Sequence, residues 1–270
     1  MKPAPFEYVR PASVAEALSA LNGTAGAKVL AGGQTLGPML NLRLAQPAVL
    51  VDITRIAELA AVSEDKHTVS IGATVTHAAI EDGRIPDPTR GFLSRVARGI
   101  AYRAVRTRGT IGGSLAHADP SADWLACLTA LGAEAMIAGP GGRRSVPLSA
   151  FVRGAMETEL APGEMLIAVR IPKLAREARF GFHKICRKAG EFADAIGVVV
   201  ENADLGCVCV VAGAALARPL VARMELSARG AMSTDAARAF LKAAGFAGDA
   251  YGLTLSAAAL KRASDEALPA

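Results

Sequence analysis

The sequence predicts an α/β fold with part of its sheet antiparallel (α+β in character), and three observations carry that prediction. Short apolar or alternating runs of strand length recur between stretches of helical period. Two glycine pairs, Gly32-Gly33 and Gly112-Gly113, stand between predicted elements, where a chain must turn sharply. About half of the 270 residues are apolar (51%) and few are aromatic (4%), so a large core can form, in a mix that suits packed α/β layers better than a disordered or collagen-like chain.

Taken in order, Ser13 opens the first helix as N-cap, with Glu16 three residues on as in a capping box. Residues 28–31 form a short buried strand that exits into Gly32-Gly33. A helix over 36–44 and a strand over 48–53 complete a β-loop-α-β unit. Arg43, at the end of that helix, is placed to cap its carbonyls. Residues 67–76 alternate as a strand, with Val69, Ile71 and Ala73 on one face. A helix begins near Thr76 and stops at the 83–88 loop. A longer one is predicted over 89–107, where Leu93, Val96, Ala97, Ile100, Ala101, Ala104 and Val105 make a core stripe. After the second glycine pair comes a helix over 124–131, then strands over 134–138 and 164–171. A boundary falls near 172–179. Strands follow at 180–185, 195–201, 207–216 and 220–226. Two helices close the chain, the first capped by Ser233 and stopped by Gly245.

A net charge of +5 permits an anionic ligand or an acidic partner, but the chain carries no nucleic-acid module and no aromatic stacking platform, so no nucleic acid is expected. The segment MKPAPFEYVRP has no apolar signal region, and the longest apolar run, around 205–216, is too short to span a bilayer. A soluble, cytoplasmic protein without a transmembrane segment is the expectation. Cys127, Cys186, Cys207 and Cys209 show no iron–sulfur spacing and read as buried thiols. Neither paired carboxylates nor a Ser/His/Asp set stands out, so no catalytic residue and no metal ligand is assigned to this chain. A protein whose bound cofactor carries the chemistry can do without them.

The first glycine segment, Ala31-Gly32-Gly33-Gln34-Thr35, lies between a strand and a helix. It reads either as a tight turn or as a set of amides brought close to a diphosphate. Its spacing is neither G-x-G-x-x-G nor a P-loop. In the second, Thr110-Ile-Gly-Gly-Ser114, two hydroxyls flank the glycines, and Asp119 and Asp123 follow as possible acceptors for ribose hydroxyls. The alternative is a structural turn with Asp119, before Pro120, as the next helix's cap.

Residues 28–43 and 107–123 resemble the two FAD signatures of the medium subunit of molybdenum hydroxylases, the carbon monoxide dehydrogenase and xanthine dehydrogenase family. Phe182-His-Lys184 and residues 187–194 resemble that family's segment near the flavin. The resemblance covers most of the chain. It implies a FAD-binding domain of the vanillyl-alcohol-oxidase/PCMH type over 1–175, in subdomains of about 1–57 and 58–175. A C-terminal α/β domain over 176–270 would carry a small antiparallel sheet with helices. It implies FAD as the cofactor, with Ala31, Gly32, Gly33, Gln34 and Thr35 cradling the diphosphate and Lys28 and Leu36 also among the cofactor-binding residues. Thr110, Gly113 and Ser114 would contact diphosphate or ribityl oxygens, with Asp119 nearby. Asp123 would bind the adenosine ribose. Leu166 would line the adenine or ring pocket, and Ala101 and Lys184 would lie beside the isoalloxazine. Ser114, Thr35 and Phe182 stand where the family often has Asn, Ser and Tyr.

From the pattern alone, Lys184 is either a cation at the flavin edge or an exposed strand lysine, and His183 faces the other side of that strand. His117 reads as a hydrogen-bonding loop residue. The arginines Arg95, Arg98, Arg103, Arg106 and Arg108 form either a docking face for an acidic subunit, a counter-charge to diphosphate, or a solvated helix face. The resemblance further implies partners: a large molybdopterin subunit and a small iron–sulfur subunit in an (αβγ)2 assembly, which alone would hold molybdopterin and the [2Fe-2S] clusters. The chain would pass electrons from those clusters through FAD to an external acceptor. A free-standing flavin oxidoreductase and a non-enzymatic nucleotide-binding scaffold are the alternatives.

Overall fold

The structure is a computed structural model that describes residues 2–203, 206–214, 216–226 and 230–268. The first sheet is parallel and small: β1 (Glu7–Val9), β2 (Lys28–Leu30) and β3 (Val49–Asp52), in the order β1-β3-β2. Helix α1 (Val14–Gly23) is capped by Ser13, whose Oγ accepts from Glu16 N, while the Glu16 carboxylate accepts from Ala12 N instead of the Ser13 N of the predicted capping box. Helix α2 (Leu36–Asn41) is shorter than the predicted 36–44. Arg43 is left-handed (φ 57°), which turns the amides of Leu44 and Ala45 back onto the Met39 carbonyl and ends the helix. Arg43 does not cap the helix with its side chain; its Nε donates to the Lys2 carbonyl.

The middle of the chain builds a five-stranded antiparallel sheet. Its elements are α3 (Ala57–Ala60), β4 (Val62–Glu64), β5 (Thr68–Gly72), α4 (His77–Glu81), α5 (Phe92–Gly99), α6 (Arg103–Arg106), α7 (Ile111–His117), α8 (Asp123–Ala130), β6 (Glu134–Gly139), β7 (Gly142–Pro147), α9 (Leu148–Phe151), β8 (Val152–Gly154), β9 (Glu157–Thr158) and β10 (Met165–Pro172). The strand order is β4-β5-β10-β6-β7, while β8 and β9 pair separately. The sequence reading missed β7 because its residues are polar and almost all exposed, as an edge strand allows. The predicted helix over 89–107 is two helices. Leu93, Val96 and Ala97 are buried as expected, but the chain breaks at Ile100–Ala101, and Ala104 is exposed.

The last sheet is an antiparallel meander of β11 (Arg179–Ile185), β12 (Ala195–Asn202), β13 (Cys207–Gly213) and β14 (Leu220–Glu225). The predicted strand over 207–216 ends at Gly213; residues 205 and 215 of the apolar run lie outside the described residues. β12 is buried along its whole length because it is covered on both faces. Val198 and Val200 join the core around α8, whereas Val199 packs with α10 (Thr234–Ala243) and α11 (Ala250–Ala267). Ser233 caps α10 as predicted. Three hydrophobic clusters result. One lies under the parallel sheet and takes in Met165 and Ile167 of β10, one lies at the centre, and one under the last two helices. Cys127 and Cys209 are buried, and all four cysteines are free thiols. Among the described residues no helix is long and apolar enough to cross a membrane.

Candidate functional site

The parallel sheet, the antiparallel sheet and β11 enclose one cavity of about 770 Å³. That is toward the upper end of the range of roughly 300–1,000 Å³ typical of small-molecule sites. Lys28, Ala31, Gly32, Gly33, Gln34, Thr35, Leu36, Ala101, Thr110, Gly113, Ser114, Asp119, Asp123, Leu166 and Lys184 all line it.

The first glycine segment leaves β2 and turns through Gly33, whose φ of 68° suits a residue without a Cβ. The backbone amides of Gly33, Gln34, Thr35 and Leu36 find no acceptor among the described residues. Gln34 reinforces the turn by donating from Nε2 to the Gly32 carbonyl at 3.1 Å. Gly32 is where the two segments meet. A Cβ there would lie 2.0 Å from the Arg108 carbonyl oxygen and 2.9 Å from Gly109 Cα.

The second segment is built differently. Thr110 caps α7, its Oγ1 accepting from Gly113 N at 3.0 Å. Ile111 N donates to Val75 O, Gly112 N to Ala73 O and Ser114 N to Thr110 O, each at 3.0 Å. These amides are consumed by the fold, whereas those of residues 33–36 in the first segment have no acceptor among the described residues. Gly112 is required by packing, since a Cβ would sit 2.5 Å from Ala73 Cβ. Gly113 presents bare backbone to the cavity, and beyond Thr110 Oγ1 its nearest neighbour would be Ala31 Cβ at 3.8 Å. The hydroxyls of Thr110 and Ser114 line the cavity beside it.

Asp119 is not a helix cap. Its Oδ1 accepts from Ser121 N at 2.9 Å in an Asx turn, and α8 starts only at Asp123. Asp123 is buried and pairs through Oδ2 with Lys184 Nζ at 3.0 Å. Its Oδ1 is equally buried and has no partner. Burial pushes the Asp123 carboxyl above the usual range and Lys184 draws it back. Lys184 is therefore no exposed strand lysine; its Nζ also reaches the Gly99 carbonyl at 3.3 Å. The contact brings together at one point of the wall two residues whose implied roles lie at different parts of the cofactor.

Ala101 is left-handed (φ 44°) and forms the cavity wall with Ile100. Buried Arg106 donates from Nη1 to the carbonyls of Ile100 and Ala101, both at 2.9 Å. Its Nε and Nη2 bind Glu81 at 2.7 and 3.1 Å, which holds the Glu81 carboxyl below its usual range. This explains the break in the predicted helix: a paired guanidinium that takes two carbonyls outcompetes a continuous helical ladder. Arg103 binds Glu81 and Asp82, and Arg95 binds Glu266 and the Phe182 carbonyl. Arg106 alone of the five is an internal strut and leaves the common face; Arg95 and Arg103 stay exposed while pairing with carboxylates. Arg98 and Arg108 are exposed.

Sequence reasoning gave no role to His77 or Met39, both of which line the cavity. His77 is buried, its Nδ1 accepts from Trp124 Nε1 at 3.1 Å, and burial lowers its pKa to about 4. A lone histidine in an apolar helical run gave no signal. Residues 190–192, with exposed Phe192, also line the cavity; they belong to the 187–194 stretch that the resemblance placed near the flavin. His117 lines the cavity, whereas His183 contacts Arg262 on the other strand face, as its register predicts.

This donor set fits a flavin dinucleotide. Free amides suit an anionic diphosphate, bare glycine backbone admits close approach, and a buried carboxylate–ammonium pair offers polar contacts at another wall. Residues 4–174 match a family model described as "FAD binding domain in molybdopterin dehydrogenase". The carbon monoxide dehydrogenase medium chain of Hydrogenophaga pseudoflava is 42% identical over 202 residues, which cover 74% of this chain and 70% of that one. The 6-hydroxypseudooxynicotine dehydrogenase complex subunit alpha of Paenarthrobacter nicotinovorans is 38% identical over 194 residues, covering 72% and 66%. A solved structure described as reconstituted CO dehydrogenase from Oligotropha carboxidovorans superposes with a TM-score of 0.90 at 31% identity, covering 99% of both chains.

Proposed function

The chain belongs to the FAD-binding medium subunits of molybdenum hydroxylase-type dehydrogenases, oxidoreductase flavoproteins, and from that premise we propose how it works. It acts beside a large molybdopterin subunit, which selects and oxidises the organic substrate, and a small iron–sulfur subunit, in a cytoplasmic (αβγ)2 assembly. Bound FAD supplies the redox chemistry, relaying electrons from the small subunit's clusters to an external acceptor. We divide the chain into a FAD-binding domain over 1–175, with subdomains meeting near residue 57, and a C-terminal domain over 176–270.

The observation that carries this reading is the single cavity on which both glycine segments converge, with the amides of residues 33–36 free inside it. Those amides, with Lys28 at the cavity edge, bind the diphosphate. Gly113 lets the cofactor approach the backbone, and the hydroxyls of Thr110 and Ser114 donate to its oxygens. Asp123 and Lys184 work as one unit at the ring end, beside Ala101 and Leu166. The ammonium there favours added negative charge, an effect strengthened by burial.

Purification of the chain with its natural companions tests the proposal. It predicts a yellow protein that releases FAD on denaturation and bleaches with substrate only when the companions are present. Bleaching by a small substrate without them would favour a free-standing oxidoreductase. A colourless protein that takes up no FAD would leave only a scaffold.

A further inference from the structure

The Ile100–Tyr102 turn carries a feature that FAD binding by the glycine segments does not use. All described peptide bonds are trans, so each backbone N–H points opposite to the carbonyl of the same peptide unit. Arg106 Nη1 draws the carbonyls of Ile100 and Ala101 to itself at 2.9 Å each. The N–H groups of Ala101 and Tyr102 therefore point away from Arg106. Ile100 and Ala101 line the cavity and Arg106 does not. Neither of these two amides donates to any acceptor among the described residues. A left-handed alanine is costly by about 1–2 kcal/mol, so something must hold it. The guanidinium does, and Glu81 fixes the guanidinium from behind through two hydrogen bonds of 2.7 and 3.1 Å.

We propose that Arg106, locked by Glu81, is a positioning residue for the cofactor: by holding the Ile100 carbonyl it turns the N–H of Ala101, which lines the cavity, toward the electron-rich edge of the isoalloxazine as a donor. The inference rests on the FAD reading above. Arg106 never touches the cofactor. It acts through the Ile100 carbonyl, and its positive charge, buried behind the same peptide unit, adds to the partial positive charge that the amide presents.

The test compares wild type, R106K and the charge-neutral pair E81Q/R106M, each as the full chain with its copurifying subunits. FAD is stripped and titrated back by its fluorescence, the midpoint potential of the bound flavin is measured, and the flavin-free protein is melted. Loss of the donor contact, which leaves its acceptor on the ring unsatisfied, predicts roughly a ten- to hundredfold weaker FAD affinity in E81Q/R106M. The midpoint potential falls in the same variant, because negative charge on the ring is less well met. R106K, whose ammonium reaches one carbonyl well, lies between the two. FAD affinity and potential within twofold of wild type, even with a lower melting temperature, would reduce the Arg106–Glu81 pair to a structural strut and overturn the proposal. Should the double variant fail to fold, R106K decides alone: a three- to tenfold loss supports the proposal and an unchanged affinity overturns it. A wild-type chain that takes up no FAD instead overturns the FAD reading itself, and this inference with it.

Discussion

The two glycine pairs look alike in the sequence and line the same cavity, yet their backbones face opposite duties. Around Gly33, in the turn between β2 and α2, the amides of residues 33–36 donate to no acceptor among the described residues. Around Gly113 every amide from Ile111 to Ser114 is spent, on Val75, on Ala73 and on Thr110. The first segment lines the cavity with amides that the fold leaves unpaired among the described residues. The second is a piece of the fold whose surface a ligand can approach. A glycine pair thus announces close backbone approach and says nothing of whether a ligand or another strand makes it.

That comparison can be broken at several points. The largest effect is expected at Lys184, which closes the cavity on the second segment's side. Lys184→Met leaves Asp123 buried without its partner and should cost about 3–5 kcal/mol in denaturant unfolding, while the double variant Asp123→Asn/Lys184→Met recovers most of it. If the single variant is as stable as wild type, the pair is not buried as described.

Next comes pH. His77 clamps the second segment, its backbone N donating to Gly109 O at 2.9 Å and its ring packed on Gly109. Burial lowers its pKa from 6.5 to about 4. Between those values the unfolded chain binds a proton that the folded chain refuses. Stability is therefore undiminished above pH 6.5, falls as pH drops toward about 4, and levels off below it, a total of about 3 kcal/mol. His77→Gln should remove that slope; an unaltered profile would assign it to other groups.

Smaller effects separate the glycines themselves. Gly32→Ala drives a methyl into the Arg108 carbonyl, so it should cost about 1–3 kcal/mol and abolish FAD uptake together. Thr110→Val removes the α7 cap for about 1 kcal/mol. Gly113→Ala should leave stability within about 1 kcal/mol of wild type, because a helical alanine is favoured over glycine, yet weaken FAD binding in titrations by filling the cavity wall. Equal FAD affinity in Gly113→Ala and wild type would show that the cofactor does not approach this segment.

The fold class, both glycine segments, the helix caps at Ser13 and Ser233 and most strands were legible in the sequence, since each rests on local period and local hydrogen bonding. So was every candidate residue's place in one cavity, through the resemblance. Edge strand β7 was not, because an exposed strand needs no apolar alternation to announce it. His77 escaped notice too, because nothing local distinguishes a histidine that will face a cavity from one that will not.

By itself the sequence determined where the chain could turn, which stripes would be buried and that two bare-backbone segments existed to meet a flavin. Only the tertiary structure decided what those segments do. Whether an amide is free depends on which distant carbonyl arrives beside it, and Val75, Ala73 and the Arg106–Glu81 pair reach the site from other elements of the chain. For the same reason only the assembled fold joined Asp123 to Lys184, 61 residues apart, into one buried charge pair.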